Sequence, residues 1–200
     1  MRRLVIAVDC DDVLVPSTPF FIDNYNKLYG TSLSLEDAHT GSEDSWQADR
    51  VLIEDRLAQL METEEYKLLA PSEEAIRVLR ELAEHHDLHV VTARREQERE
   101  MTQRMLDYIL PGVFHSLDTV GWTGSKGEVC QRLCADILID DSARHLHDAI
   151  ACGMPKQGAI LFGEYPWNRN DGKHEDLTVC PDWLVVKVVV DAIAEEPMHA

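Results

Sequence analysis

A chain of 200 residues can bury a substantial core as one domain, or as one core with a modest insertion. Its composition, 44% apolar and 28% charged, is ordinarily globular, so folding needs no disulfide scaffold. The formal charge of −18, from 37 acids against 19 lysines and arginines, repels polyanions. It excludes polymeric nucleic acid as a natural partner, but not a small anion in a local positive site.

Residues 1–10 carry two arginines and an apolar run too short for a signal peptide, so a strand is expected there. Residues 4–8 end in acids and read as a buried strand. Residues 20–28 place apolar side chains at helical spacing and stop at Gly30. Residues 33–49 are polar and irregular. Residues 51–61 are helical again, with Val51, Leu52, Leu57, Leu60 and Met61 available for one face. Pro71 and Ser72 open a strong helix with Ile76, Leu79, Leu82 and Ala83 on its apolar stripe. Glu73 and Glu74 in its first turn suit the helix dipole.

Regular alternation follows. Strand 88–91 leads to helix 96–110, closed by Pro111 and Gly112, and then to a short strand at 115–120. Helix 126–134, strand 137–139 and helix 143–152, ended by Gly153, precede a last strand at 159–162. A polar loop over 168–176 leads to a closing helix over 182–194, although its valines have strand propensity. No segment reaches the ~18 apolar residues of a membrane span, so no membrane partner is expected. The run 183–190 is too short, and Lys187 interrupts it. The five cysteines, an odd and scattered set, read as free thiols in a reducing cytosol. Cys130 and Cys134 are expected to pack in the core, because no second Cys or His pair stands at zinc-like spacing.

Strands alternating with helices imply an α/β fold, a Rossmann-like doubly wound parallel sheet with ligands at the carboxyl ends of its strands. The mostly helical stretch 16–70 interrupts the alternation. The expected organisation is a core over 1–15 and 71–200 with a helical cap over 16–70.

The first strand ends in Asp9-Cys10-Asp11-Asp12. Three carboxylates in four residues repel one another, and a divalent cation is the usual relief. A polar turn with helix caps is the plain alternative. The second strand ends in Thr92-Ala93-Arg94, where a hydroxyl, free N–H groups and a guanidinium suit a phosphate. Equally, Thr92 can cap the next helix and Arg94 can form a surface salt bridge. Lys126 opens a helix after Gly124-Ser125, a place where a lone lysine is usually solvated. The strand at 137–139 leads into Asp140-Asp141, a pair that signals metal.

Asp, Thr, Lys and Asp-Asp thus fall in that order at the strand ends of one sheet. In this the chain resembles the haloacid dehalogenase (HAD) superfamily. The pattern DxDx[TV], then Thr or Ser, then Lys, then paired acids reads here as Asp9-Cys10-Asp11-Asp12-Val13, Thr92, Lys126 and Asp140-Asp141. The stretches VDCDDVL, FIDNYNKLYG, VVTAR, SKGEVC, ILIDDS and EYPWN further resemble the 5′(3′)-deoxyribonucleotidase branch and its nucleotidase-like relatives. Residues 32–49 align with nothing in that branch and are expected to set substrate choice.

The resemblance implies a Mg²⁺-dependent phosphatase. Asp9 is the implied nucleophile and becomes an aspartyl phosphate. Asp11 is the implied acid that protonates the leaving oxygen, and then the base for the attacking water. Mg²⁺ would be held by the Asp9 carboxylate, the Asp11 backbone carbonyl and Asp140, with Asp141 a ligand through water or a supporting partner. Thr92 and the Ala93 N–H would hold phosphate oxygens, and Lys126 would offset charge. Dehalogenases lack an acid at the Asp11 position and transport ATPases carry Thr there, so phosphatase or phosphomutase is favoured.

The expected substrate is a nucleoside monophosphate or a similar small phosphorylated metabolite. The alternatives are a sugar-phosphate mutase or a phosphatase of another metabolite, and a non-catalytic HAD-fold binding protein. Phe20 and Trp46 are candidates to stack on a base, although aromatics in a small cap are more often its core. Trp167 can border the site. His85, His86, His145 and His147 show no ligand spacing and are expected on solvated faces. The Cys10 side chain should point into the core. The sequence carries no signature of oligomeric state.

Overall fold

The computed structural model describes residues 1–40, 42–168 and 174–196. Six strands form one parallel sheet: β1 (Val5–Val8), β2 (Asp87–Thr92), β3 (Phe114–Thr119), β4 (Ile137–Asp140), β5 (Ala159–Phe162) and β6 (Thr178–Cys180). Their order is β3-β2-β1-β4-β5-β6. The winding reverses between β1 and β4, and such a switch point opens a crevice beyond the strand ends.

Among the described residues, five helices of the insertion precede the helix that leads into β2. They are α1 (Ser17–Tyr29), α2 (Asp37–Thr40), α3 (Glu43–Trp46), α4 (Arg50–Met61) and α5 (Glu64–Lys67), followed by α6 (Glu73–His85). The remaining helices are α7 (Arg99–Ile109), α8 (Lys126–Leu133), α9 (Ala143–Ala151) and α10 (Trp183–Glu195). Alternation along β1 feeds both faces of the sheet. Ile6 and Val8 pack with Leu79 of α6, Leu106 of α7 and Val186 of α10. Ala7 packs with Cys130 of α8 and Leu146 of α9. The helices between β1 and α6 have a cluster of their own, with Ile22, Tyr25, Trp46 and Leu60 buried.

Local chemistry explains most boundaries. Gly30 ends α1 at φ 68°, a left-handed conformation that costs glycine nothing. Ser72 and Asp182 cap α6 and α10 by accepting from Ala75 N and Val185 N. The valines of α10 form a helix because Val186, Val190 and Ile193 recur at helical spacing and are buried together.

Several expectations are corrected. The stretch 33–49 contains α2 and α3, four residues each and too short to show periodicity. The last strand is β6, a three-residue edge strand, rather than β5. Much of the expected polar loop over 168–176 lies outside the described residues. Cys134 is exposed, because it is the left-handed residue ending α8; Cys130 is in the core. His86 is buried, and its Nδ1 accepts from Leu4 N at 3.3 Å. Among the described residues, no helix is long and apolar enough to cross a membrane.

Candidate active site

β1 delivers Asp9 to the switch point, where Asp9 N bonds Ile139 O on β4 at 2.9 Å. The chain then turns sharply, with Asp12 at φ 60° and its N–H on Val15 O at 2.7 Å. Left-handed backbone costs a side-chain-bearing residue ~1–2 kcal/mol. The buried Asp12 carboxylate offsets that cost by accepting from the N–H and hydroxyl of Thr18 in the first turn of α1. Tyr165 donates to the Asp12 carbonyl at 2.6 Å. Asp12 therefore shapes the loop, and Cys10 points into the core.

Lys126 is placed by the start of α8. Ser125 caps the helix, accepting from Glu128 N at 2.9 Å, and donates to Asp148 Oδ2 at 2.8 Å. Gly127 N donates to the same oxygen at 2.8 Å. A Cβ on Gly127 would lie 2.5 Å from the Asp148 carbonyl oxygen, so α8 and α9 approach closely only with glycine there. The result is a fully buried ammonium, 2.8 Å from Asp9 Oδ2 and 2.7 Å from Asp140 Oδ2, not a solvated one. Gly127→Ala should cost about 1–3 kcal/mol in overpacking, measured by chemical denaturation. It should also lower turnover of the folded fraction, because Lys126 moves with the helix start.

Asp9, Asp140 and Asp141 are buried, and each offers an oxygen within 4.8 Å of the others. Ser142 N holds Asp140 Oδ1 at 2.9 Å. Trp167 Nε1 reaches Asp141 Oδ2 at 2.9 Å, so Trp167 does border the site. Burial pushes the Asp9 carboxyl up to about 6 against the pull of Lys126. Burial raises Asp140 likewise, and raises Asp141 well above the carboxylate range with help from Asp140 and Asp9. One ammonium cannot neutralise three buried carboxylates. An all-oxygen donor set fits a hard divalent cation such as Mg²⁺ rather than a metal that prefers nitrogen or sulfur.

Asp11 lies outside that cluster. Arg94, buried at the end of β2, donates through Nε to Asp11 Oδ2 at 2.9 Å and through Nη2 to Oδ1 at 2.7 Å. Arg94 Nη1 is held by Thr102 Oγ1 at 2.9 Å. Burial pushes the Asp11 carboxyl up, but Arg94, Ser17 and Tyr66 outweigh it and hold it below the usual range. Arg94 thus forms an interior ion pair rather than a surface salt bridge.

A cavity of about 640 Å³ opens between the strand ends and the inserted helices. That size suits a small organic ligand. Asp9, Asp11, Asp141, Ala93 and Arg94 line its acidic end, and Phe21, Trp46 and Trp122 are among its aromatic walls. Thr92 is fully buried, with its hydroxyl accepting from Arg94 N at 3.3 Å. Trp46 is buried in the cap core, its ring edge-on to Tyr25 at 4.8 Å, and it also lines the cavity. Phe20 packs edge-on to Tyr66 at 5.3 Å, and its neighbour Phe21 lines the cavity instead. His145, expected on a solvated face, is buried and lines the cavity near Asp9. Burial and the nearby Lys126 lower its pKa to about 3. Sequence reasoning missed Tyr66 and Trp122. Trp122 carried one usable signal, its place after β3 at the same sheet edge.

A profile of the family described as 5′ nucleotidase, deoxy (pyrimidine), cytosolic type C protein matches residues 3–190. No curated protein matches the chain. Among solved structures, a haloacid dehalogenase-like family hydrolase from Streptococcus pneumoniae is 16% identical with a TM-score of 0.65, covering 94% of this chain and 98% of that one. A Clostridium difficile protein assigned as a phosphatase is 15% identical with a TM-score of 0.66, covering 94% and 99%. A Thermotoga maritima protein assigned as a β-phosphoglucomutase is 16% identical with a TM-score of 0.65, covering 96% and 99%. At these identities the structural likeness speaks for the fold.

Proposed function

This chain belongs to the 5′ nucleotidase, deoxy (pyrimidine), cytosolic type C family and is a HAD-type phosphomonoester hydrolase; from that premise we propose that it hydrolyses nucleoside monophosphates, with Mg²⁺, through a phosphoryl group carried on Asp9. The observation that carries this reading is the buried Lys126 bridging Asp9 and Asp140 beside Asp141, at the acidic end of the cavity.

In the first step the Asp9 carboxylate attacks phosphorus while the ester P–O bond breaks. Asp11, held below the usual carboxylate range by Arg94, takes up a proton as the negatively charged phosphate approaches and gives it to the departing oxygen. In the second step water attacks phosphorus, loses a proton to Asp11, and the Asp9–phosphorus bond breaks. Lys126 offsets the charge that nucleophile and phosphate bring together, and Thr92 and the Ala93 N–H hold phosphoryl oxygens. Asp9, Asp140, Asp141 and the Asp11 carbonyl would hold Mg²⁺, which when bound supplies positive charge against the phosphoryl group. Helices α1–α5 act as a cap, with residues 32–49 setting substrate choice. Five free cysteines fit a reducing cytosol.

Exhaustive chelation should abolish turnover and Mg²⁺ should restore it; full activity in EDTA would sink the metal assignment. In a panel of phosphorylated metabolites, nucleoside monophosphates should exceed sugar phosphates in kcat/KM. Stacking on the cavity aromatics is worth about 1–3 kcal/mol per base, or roughly five- to 150-fold. Equal turnover of sugar phosphates would overturn the nucleotide reading alone. Release of free phosphate, rather than an isomeric sugar phosphate, separates hydrolase from mutase.

A further inference from the structure

The two oxygens of Asp11 are bonded unequally. Oδ1 accepts from Arg94 Nη2 at 2.7 Å, from Tyr66 Oη at 3.2 Å and from Ser17 Oγ. Among the described residues, Oδ2 accepts only from Arg94 Nε, at 2.9 Å. A carboxylate oxygen has about two lone-pair sites. Three donors therefore fill Oδ1, and one donor leaves Oδ2 with room for another partner. The Asp11 side chain keeps 30% of its surface exposed, and it lines the cavity.

Two of the three donors on Oδ1 come from the insertion: Ser17 opens α1 and Tyr66 lies on α5. Their hydroxyl oxygens also lie 3.0 Å apart, and Arg94 Nη2 donates to Tyr66 Oη at 2.5 Å. Tyr66 is itself fixed. It is 1% exposed, and its ring stacks on Phe21 at 5.3 Å and 11°. The carboxylate is thus gripped at one oxygen by parts of the insertion and the core together.

We propose that Ser17 and Tyr66 are positioning residues for catalysis: with Arg94 they anchor Oδ1 of Asp11, so that Oδ2 is the oxygen that exchanges protons with the leaving group and with water. The inference rests on the acid–base role given to Asp11 above. In the first step the proton leaves Oδ2 for the ester oxygen as the P–O bond breaks and the Asp9–phosphorus bond forms. In the second, Oδ2 takes a proton from water as the water oxygen bonds phosphorus and the Asp9–phosphorus bond breaks. The insertion then contributes to proton transfer as well as to substrate choice.

The test is a ratio of two kcat/KM values, one for a nucleoside monophosphate and one for p-nitrophenyl phosphate. Each covers only the steps up to release of the leaving group. The alkoxide needs a proton and nitrophenolate does not, so in variants that leave the cavity aromatics in place a fall in the ratio reports proton delivery. Tyr66→Phe keeps the ring and its stacking, and should lower the ratio about tenfold, as a misdirected but present acid would. Ser17→Ala should lower it about threefold, and the double variant by less than the product, because both hydroxyls serve one oxygen. A merely structural role would depress both substrates equally and leave the ratio unchanged, which would overturn the inference. Asp11→Asn is the reference. If it lowers the ratio and Tyr66→Phe does not, only the positioning inference is lost. If Asp11→Asn leaves the ratio unchanged, the acid role fails, and the inference with it.

Discussion

Asp9→Asn should form no phosphoenzyme with any substrate, whereas Asp11→Asn should accumulate one from p-nitrophenyl phosphate. The two residues are neighbours in sequence but not in environment. Asp9 shares the buried Lys126 with Asp140, whereas Asp11 is paired with Arg94. An amide at position 9 removes the nucleophile, and nothing else in the acidic cluster replaces it. An amide at position 11 leaves the nucleophile intact, along with a backbone carbonyl for the metal. General acid–base help is worth ~10²–10⁴-fold, so a nucleoside alkoxide should leave that much more slowly. Nitrophenolate leaves without a proton, so the first step survives. The second step lacks a base for water, and the aspartyl phosphate builds up. Rapid-quench kinetics should show a burst approaching about one nitrophenolate per site, and intact-protein mass should show the added phosphoryl group. A burst missing from both variants removes the separate role of Asp11. A normal phosphoenzyme in Asp9→Asn removes the nucleophile assignment.

The core was legible because its signals are local. Apolar runs ending in acids mark β1 and β4, and the capped, periodic stretch after Ser72 marks α6. Asp9, Thr92, Lys126 and the Asp140-Asp141 pair could be placed at one sheet edge because parallel strands put their carboxyl ends together. What escaped was short or distant. Helices α2, α3 and α5 span four residues each, about one turn, so no periodic face can show. β6 is a three-residue edge strand with Val179 exposed. The grip on Asp11 joins it to Tyr66, 55 positions away, and to Arg94, 83 positions away. No local pattern encodes such pairings. Phe20 and Phe21 are adjacent on α1, and only the packing of α1 decides which ring meets the cavity.

Lys126→Met should separate the two things this lysine does. Methionine keeps the unbranched apolar stem of the side chain and deletes the charged Nζ. In EDTA, Asp9 and Asp140 are then left buried without a counterion. Breaking a buried pair by removing one partner costs about 3–5 kcal/mol, so the denaturation midpoint of the chelated variant should fall accordingly. Burial already pushes Asp9 up to about 6, so proton uptake by the carboxyls should relieve part of that loss. Saturating Mg²⁺ should recover much of the stability, because a cation on Asp9, Asp140 and Asp141 supplies the missing charge. It should not recover turnover. The nucleophile and the phosphate still approach each other as like charges, and removing one preorganised electrostatic partner typically costs ~10²–10³-fold in kcat. Stability restored with turnover still lost makes Lys126 a catalytic group as well as a structural one. An unchanged midpoint in EDTA would deny that Lys126 is the countercharge of this cluster. A fall in kcat smaller than about tenfold, well short of that typical loss, would deny its part in the chemistry.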